Sequence, residues 1–343
     1  MSPLHNLLEP PGLIRHFQSF PPEDFSTFAL DSGVPAFSTR FDLLTTMEPG
    51  RLRKLAAFLF SRWLHPTTCF IGTTVSEYAL LPESTPPESF VRELLSSLAP
   101  RFPFLIIKDI PADAALVGEE AFAYSQRLAK ACGEIGFVLL EGQSLAYVPI
   151  DFASVDEFLA RRSPARRKNL RRKLKSMPRL EIETVPTGDA RFLDQQLLAE
   201  LYALYLNVYR QSEIHFDLLT AAFFRAVLQD PNVGGLVFAY RLDGRLIGYN
   251  LCFRENGMLL DKYVGFVYPE ARDFNLYAVS WFHNLEYAVA NGLRCYVAGW
   301  TDPEVKRELG AHFTFTRHAV YVRNPILRAL LMPFKRLFET GYK

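Results

Sequence analysis

The stretch from Gly234 to Gly299 restricts the possible folds of this chain more than any other part of it. GGLVFAYRLDGRLIGYNLCF sets two apolar runs around Leu242-Asp243-Gly244. Asp-Gly at such a place signals a tight hairpin, because both central residues of the favoured turn take positive φ. A third run, MLLDKYVGFV (258–267), follows Glu255-Asn256-Gly257. Next come a helical pattern over about 274–290, closed by Asn291-Gly292, and a strand LRCYVAG at 293–299. Helical runs at about 191–209 and 218–228 precede the strands. Helix, helix, three-strand meander, helix, strand predicts a mixed, mostly antiparallel sheet flanked by helices.

The chain has 343 residues, and at roughly 100–200 residues per domain this length suggests two domains. The first half also reads as α/β. It shows a helix at about 49–64, short strands at 69–72 and 77–81, and a helix opened by Pro86-Pro87. A buried strand follows at 102–110, then a helix at 118–136 and a hairpin over 136–152 broken near Glu141–Gln143. Phe41-Asp42-Leu43-Leu44-Thr45 recurs as Phe216-Asp217-Leu218-Leu219-Thr220, each ahead of a helix and strands, and either duplication or chance accounts for it.

Charge is distributed unevenly. The net charge is +1, yet RRSPARRKNLRRKLK (161–175) holds nine basic residues and no acidic one, leaving the remainder acidic. On a helix Arg167, Arg171 and Lys175 align at i, i+4 and i+8, flanked by Arg166, Lys168, Arg172 and Lys173. Such a stripe suits phosphates, of tRNA or of a coenzyme, or else packs on the acidic remainder. Arg166, Arg167, Arg171 and Arg172 are the candidate anion contacts. Stacking aromatics are missing from this segment, which weakens base-specific RNA readout. The last segment, PILRALLMPFKRLFETGYK, has an apolar face opposite Arg328, Lys335 and Arg336. It either lies peripherally on an anionic membrane through 324–343 or docks on its own domain.

Several chemistries lack their signatures. The four cysteines form no C-x-x-C pair, and the seven histidines are scattered, so no metal site is expected. There is no phosphate-binding G-x-x-x-x-G-K-[ST], no G-x-S-x-G and no H-E-x-x-H. No leader-like or membrane-spanning run is evident, and the expected location is the cytoplasm. His283 and Glu286, three apart on the 274–290 helix, face either a cleft or solvent.

The order of elements in the second half, and the step from strand 260–265 through Tyr268–Asp273 into the next helix, resemble the GNAT acyltransferase superfamily. The closer resemblance is to its FemAB-like and CelD-like branch. It is carried by SPARRKNLRRKLK, FNLYAVSWFHNLEYAVANGL and GWTDPEVKRELGAHF, and covers about residues 155–323. The resemblance implies two GNAT-like (acyl-CoA N-acyltransferase) domains in tandem. The expected division is 1–153 (degenerate), 154–180 (basic linker helix), 181–323 (catalytic) and 324–343 (amphipathic helix).

It further implies attack of an amine on an activated acyl carbonyl, with acetyl-CoA as donor and a small-molecule or cell-envelope amine as acceptor. The alternatives are an aminoacyl-tRNA donor feeding a cell-envelope precursor, and a non-catalytic module binding an anionic surface. Lys306 matches the branch's lysine and would supply charge to the oxyanion, or else is a solvated lysine beside Glu304 or Glu308. Asp261 and Tyr263, two apart on one strand, share a face and would act as base and proton donor, or else are a surface aspartate and a packed tyrosine. The loop Arg272-Asp273-Phe274-Asn275-Leu276 is the expected coenzyme site. It keeps the family's arginine but has no glycine, and Asp273 is the expected helix N-cap.

Overall fold

The computed structural model describes residues 4–40, 65–212 and 216–331. The predicted helix at 49–64, the first copy of the repeated pentapeptide and the apolar residues from Phe334 on lie outside them. Two compact units emerge. One comprises residues 1–8, 23–144 and 314–343, and the other residues 9–22 and 145–313.

The first unit holds strands β1 (Leu4–His5), β2 (Ser26–Ala29), β3 (Pro35–Arg40), β4 (Thr67–Ile71), β5 (Leu81–Pro82) and β6 (Phe104–Pro111). Its β2, β3 and β4 form an antiparallel meander, and β4 then runs parallel to β6. Helix α2 (Pro87–Ser97) lies between those two strands in sequence. Residues 316–322 pair antiparallel with the other edge of β6. The predicted strand at 77–81 shrinks to the two residues of β5, because Thr73–Tyr78 form bends closed by Thr73 and Ser76 hydroxyls.

The predicted hairpin at 136–152 is instead one strand, β7 (Val138–Pro149). A two-residue turn needs positive φ, and Gly142 does not adopt it. The glycine serves close packing: a Cβ there would stand 2.2 Å from the Thr316 hydroxyl.

The second unit begins with α1 (Pro11–Ser19) and takes β7 from residue 145. Its strands are β8 (Glu181–Pro186), β9 (Gly235–Leu242), β10 (Arg245–Glu255), β11 (Met258–Phe266) and β12 (Cys295–Gly299). Strands β8 to β11 are antiparallel neighbours, and β11 and β12 are parallel. Residues 146–149 of β7 pair antiparallel with β12. Both predicted turns form, with Asp243-Gly244 at φ 49° and 77° and Asn256-Gly257 at φ 50° and 72°.

Helices α6 (Gln195–Gln211) and α7 (Ala221–Gln229) are capped by Asp194 and Thr220, whose side chains accept from Gln196 N and Phe223 N. The long helix after β11 is α9 (Leu276–Ala290), and its apolar side, including Val279, Phe282 and Leu285, is buried against Phe238, Leu259 and Tyr296 of the sheet. A meander, a helix and a parallel return strand thus occur in each unit, as two GNAT-like halves require. The basic stretch is not one helix. It forms α4 (Val155–Ala160), α5 (Pro164–Lys173) and a 3-10 turn at Leu174–Arg179, interrupted where Ser163 and Pro164 start a new N-terminus.

Candidate active site

The parallel strands β11 and β12 pair only from Met258↔Cys295 to Leu260↔Val297. Asp261 is the first residue past that point, and Gly299, at φ 79°, is two residues past it on the other strand. Helix α10 (Pro303–Leu309) follows and turns Lys306 inward, leaving it 3% exposed. A Cβ on Gly299 would lie an ordinary 3.8 Å from Lys306 Nζ, so it is the positive φ rather than space that calls for glycine here. Buried as it is, Lys306 is no solvated lysine, and Glu308 instead meets Lys173 at 3.9 Å. Nothing in EVKREL foretells this, because the inward turn depends on the opening between two distant strands.

Asp261 stands at the centre of a polar network. Asn250 Nδ2 donates to both its oxygens at 3.0 and 2.9 Å, Asn284 Nδ2 donates at 3.0 Å and the Tyr296 hydroxyl at 2.9 Å. Asn250 and Asn284 are fully buried and Tyr296 nearly so. Desolvation raises the Asp261 pKa above the ordinary carboxylate value, against the Asn250 and Tyr296 hydrogen bonds and the Lys306 charge, which lower it. With both oxygens already accepting, this carboxylate is better placed to hold Lys306 and the surrounding donors than to abstract a proton.

Tyr263 does not share the face of Asp261. Tyr263 pairs with Leu251 but Asp261 pairs with the very next residue, Cys252, so Lys262 is an extra residue in a β-bulge. Asp261 turns to the α9 side, whereas Tyr263 packs edge-on against Phe224, Phe223 and Tyr205 at 5.4, 6.0 and 6.5 Å. The alternation rule that grouped them fails at the bulge.

A cleft of about 410 Å³ is lined among others by Lys173, Tyr268, Arg272, Asn275, Tyr277 and Val305; Val305 and Leu309 bring the Lys306 helix to it, while Lys306 itself and the donors around Asp261 are not in its lining. Arg272 and Asn275 of the predicted coenzyme loop line it. Phe274 instead lies under the Arg179 guanidinium, 4.8 Å from its ring centre, and Leu276 is buried in the core. Asp273 is exposed and is not the N-cap. It ends a separate turn, α8 (Glu270–Asp273), and Asn275 takes the cap position in the left-handed conformation (φ 52°, ψ 41°). That is the conformation glycine adopts most readily.

The amides of this loop are largely occupied. Those of Ala271, Arg272, Asp273, Phe274 and Asn275 donate to the carbonyls of Val267, Pro269, Pro269, Glu270 and Arg272. Ala278 and Val279 donate to Asn275 O, so the amides that a helix start can still offer an anion are those of Leu276 and Tyr277.

Two cleft residues escaped the sequence reading. Burial raises the phenol pKa of both Tyr268 and Tyr277, and the Asp302 charge adds to it. Asp302 opens α10 in the left-handed conformation (φ 53°, ψ 52°), and its exposed side chain caps nothing. Only the positive φ of a non-glycine residue marks it, and sequence does not display that.

The basic helix α5 reaches the cleft through its last residue, Lys173. Its outer side borders a second hollow of about 680 Å³ lined by Arg167, Lys168, Arg171, Arg172 and Lys175. Arg171 pairs with Asp156 at 3.3 Å. Among the described residues, Arg166, Arg167, Lys168, Arg172 and Lys175 meet no carboxylate at ion-pair distance. His283 faces no cleft; it packs on Phe238 and Tyr240, and burial lowers its pKa to about 4. Glu286 is exposed. Among the described residues, no three metal-ligating side chains converge and no helix is long and apolar enough to cross a membrane. At the end of the described chain, Arg328 of α11 (Pro325–Leu331) donates to Gly136 O at 3.3 Å.

Residues 164–307 match the acetyltransferase (GNAT) domain family. No curated protein matches the chain by sequence. Among solved structures, L-PGS from Bacillus licheniformis superposes with a TM-score of 0.56 and 11% identity, over 97% of this chain and 98% of that one. FemX gives 0.55 and 14%, over 96% and 95%. The C-terminal domain of a protein provisionally named lysylphosphatidylglycerol synthetase, from Agrobacterium fabrum, gives 0.55 and 13%, over 96% and 91%. At these identities the likeness is one of fold. The chain shares the fold of FemX, of GNAT type, and its residues 164–307 match the acetyltransferase (GNAT) domain.

Proposed function

We propose that the protein transfers an aminoacyl group from the 3′ end of a tRNA to an amine, small or part of a cell-envelope precursor, within the cleft lined by Arg272, Asn275 and Tyr277. One observation carries this reading: the cleft loop has used most of its amides on itself, while α5 carries Arg166, Arg167, Lys168 and Arg172, which meet no described carboxylate at ion-pair distance, and ends at the cleft in Lys173. Such a surface suits a donor gripped by side chains along a polyanion rather than by an amide cradle around one pyrophosphate. The names of L-PGS and lysylphosphatidylglycerol synthetase, which denote aminoacyl transfer, agree with it.

In this reading the neutral amine attacks the ester carbonyl, and the Lys306 ammonium stabilises the oxyanion of the tetrahedral intermediate. Asp261 keeps Lys306 charged and aimed. As the C–O bond breaks and the amide forms, Tyr277, whose proton burial retains, protonates the leaving ribose oxygen. Tyr277 takes the donor role expected of Tyr263, and the amine loses its proton to solvent or to the exposed Asp302 that precedes α10.

Acyl-CoA, acetyl-CoA above all, is the second reading. It is favoured by Arg272 and by the Leu276 and Tyr277 amides, which together would hold its phosphates while the thioester supplies the activated carbonyl. The division into 1–153, 154–180, 181–323 and 324–343, the cytoplasmic location, and a peripheral membrane contact through 324–343 remain parts of this proposal.

The test is calorimetric titration of the full chain with bulk tRNA and with acetyl-CoA at two salt concentrations. The first reading expects salt-steep tRNA binding. Its log–log slope should fall by about 3 when Arg166, Arg167, Lys168 and Arg172 are changed to Gln, at roughly 0.7–0.9 per phosphate contact. Micromolar acetyl-CoA binding that Arg272→Ala abolishes, with no salt-dependent tRNA binding, would install the second reading instead.

A further inference from the structure

The extra residue of the bulge beside Asp261 has a partner from far away in the sequence. Lys262, the extra residue, is 7% exposed, and its Nζ meets Glu9 Oε1 at 3.1 Å; the Glu9 side chain is fully buried. Glu9 begins the 9–22 segment, which belongs to the second unit although residues 1–8 belong to the first. The segment is seated by helix α1, whose buried face is Gly12, Leu13, Ile14 and Phe17. A Cβ at Gly12 would come within 3.1 Å of Val233. His16 Nε2 lies 2.8 Å from Asp230 Oδ2 at the far end of the helix.

A bulge residue has no partner in the ladder, so its backbone is the part of a strand freest to rearrange. Were Lys262 to slip back into register, Tyr263 and Asp261 would again share a face, and Asp261 would lose Asn250, Asn284 and Tyr296 together. Removing a close counter-ion from a largely buried lysine leaves its charge less compensated, which is destabilising. Glu9 supplies that counter-ion from a segment outside the matched domain at 164–307.

We propose that the buried Glu9–Lys262 ion pair is a clamp on the β11 bulge, making both positioning residues for Asp261 and, through it, for Lys306. The consequence for transfer rests on the acyltransferase reading above; the consequence for the strand does not.

The test compares Glu9→Gln, Lys262→Arg and His16→Ala in the full chain. His16→Ala loosens the same segment without touching the bulge, and Lys262→Arg keeps the pair. Readouts are amide hydrogen exchange and the kcat and donor KM of aminoacyl transfer. Glu9→Gln is expected to speed exchange at residues 261–264 at least tenfold, with β9 unchanged, and to lower kcat tenfold or more with KM within twofold. Lys262→Arg should hold kcat within threefold, and His16→Ala should leave both readouts near wild type at whatever thermal shift it brings. If Glu9→Gln does not fold, Glu9→Asp carries the same comparison. Uniform exchange across the sheet, or a kcat loss that merely tracks thermal stability in both Glu9→Gln and His16→Ala, would overturn the clamp. A wild-type protein that transfers nothing would refute the transferase reading, while local exchange at 261–264 would still decide the clamp.

Discussion

Asp261 and Lys306 offer a double-mutant cycle whose asymmetry the structure dictates. Asp261→Asn keeps the shape but replaces one acceptor oxygen by a donor. Asn250, Asn284 and Tyr296 already share Oδ2, so the new amide group at the Oδ1 position meets the Asn250 and Cys252 donors instead of accepting from them, and Lys306, 3% exposed, loses a nearby negative charge. Removing one partner of a buried charge pair costs about 3–5 kcal/mol. Lys306→Met leaves a carboxylate that still accepts from four side chains, the Cys252 thiol among them, and can take up a proton, since its pKa is already raised. Its cost should be smaller, about 1–3 kcal/mol, of the order of one unsatisfied buried group.

The double variant should cost clearly less than the sum of the two, by about 1–3 kcal/mol. Lys306→Met also removes a charge that lowers the Asp261 pKa, so that pKa should rise further. A carboxylate whose folded pKa is raised contributes stability below its unfolded pKa and loses it as pH climbs through the folded value. Lys306→Met should therefore lose more stability than wild type between pH 5 and 8. Urea unfolding of the four proteins at both pH values measures all of this. Additive costs, or a Lys306→Met penalty equal to that of Asp261→Asn and flat with pH, would refute the picture of a carboxylate held by neutral donors and a single cation.

Other perturbations read other parts of the fold. His283, with its pKa lowered to about 4 from 6.5, stays neutral while the unfolded chain protonates. Stability should accordingly fall by about 2 kcal/mol from pH 7.5 to 5.0, and His283→Phe should remove that share of the pH dependence in paired urea titrations. Gly142→Ala should cost about 2 kcal/mol or more, its Cβ meeting the Thr316 hydroxyl, and Thr316→Ala should relieve most of that in the double variant's thermal melt. Asn275→Gly should raise stability by about 0.5–1 kcal/mol, relieving a left-handed non-glycine, whereas Asn275→Val should lower it by more than that. Asp302→Asn should reduce transfer to a cationic amine while leaving donor binding within twofold in the same calorimeter.

The parts of the fold legible in the sequence are those specified locally. Asp243-Gly244 and Asn256-Gly257 state their own turn geometry, and Thr220 and Asp194 have the side chains their cap positions require. Lys306 was legible as a candidate through the family pattern, but its burial follows from the opening beyond Leu260 and Val297. The faces of Asp261 and Tyr263 were misread because strict alternation assumes a regular ladder, and the bulge is associated with a glutamate at position 9. Gly142 looked like a turn because glycine carries two meanings, positive φ and close approach, and here the second applies. Asp273 fits the cap chemistry because short acidic side chains usually fill that position, whereas here the left-handed Asn275 fills it without its side chain.

The interleaved composition of the two units has a consequence for how the protein comes into being. As the chain leaves the ribosome, β6 can find β4 early, but its other edge must wait for residues 316–322. The segment at 9–22, conversely, emerges long before the β11 residue that Glu9 meets. Neither unit can close its contacts while synthesis is in the middle of the chain, so a nascent protein carries an unpaired strand edge and a buried-type carboxylate in the open. Folding must then be largely post-translational and rich in long-range closures, which slows it. Yield in a heterologous host should depend on chaperone supply and growth temperature more than on the stability of the finished molecule.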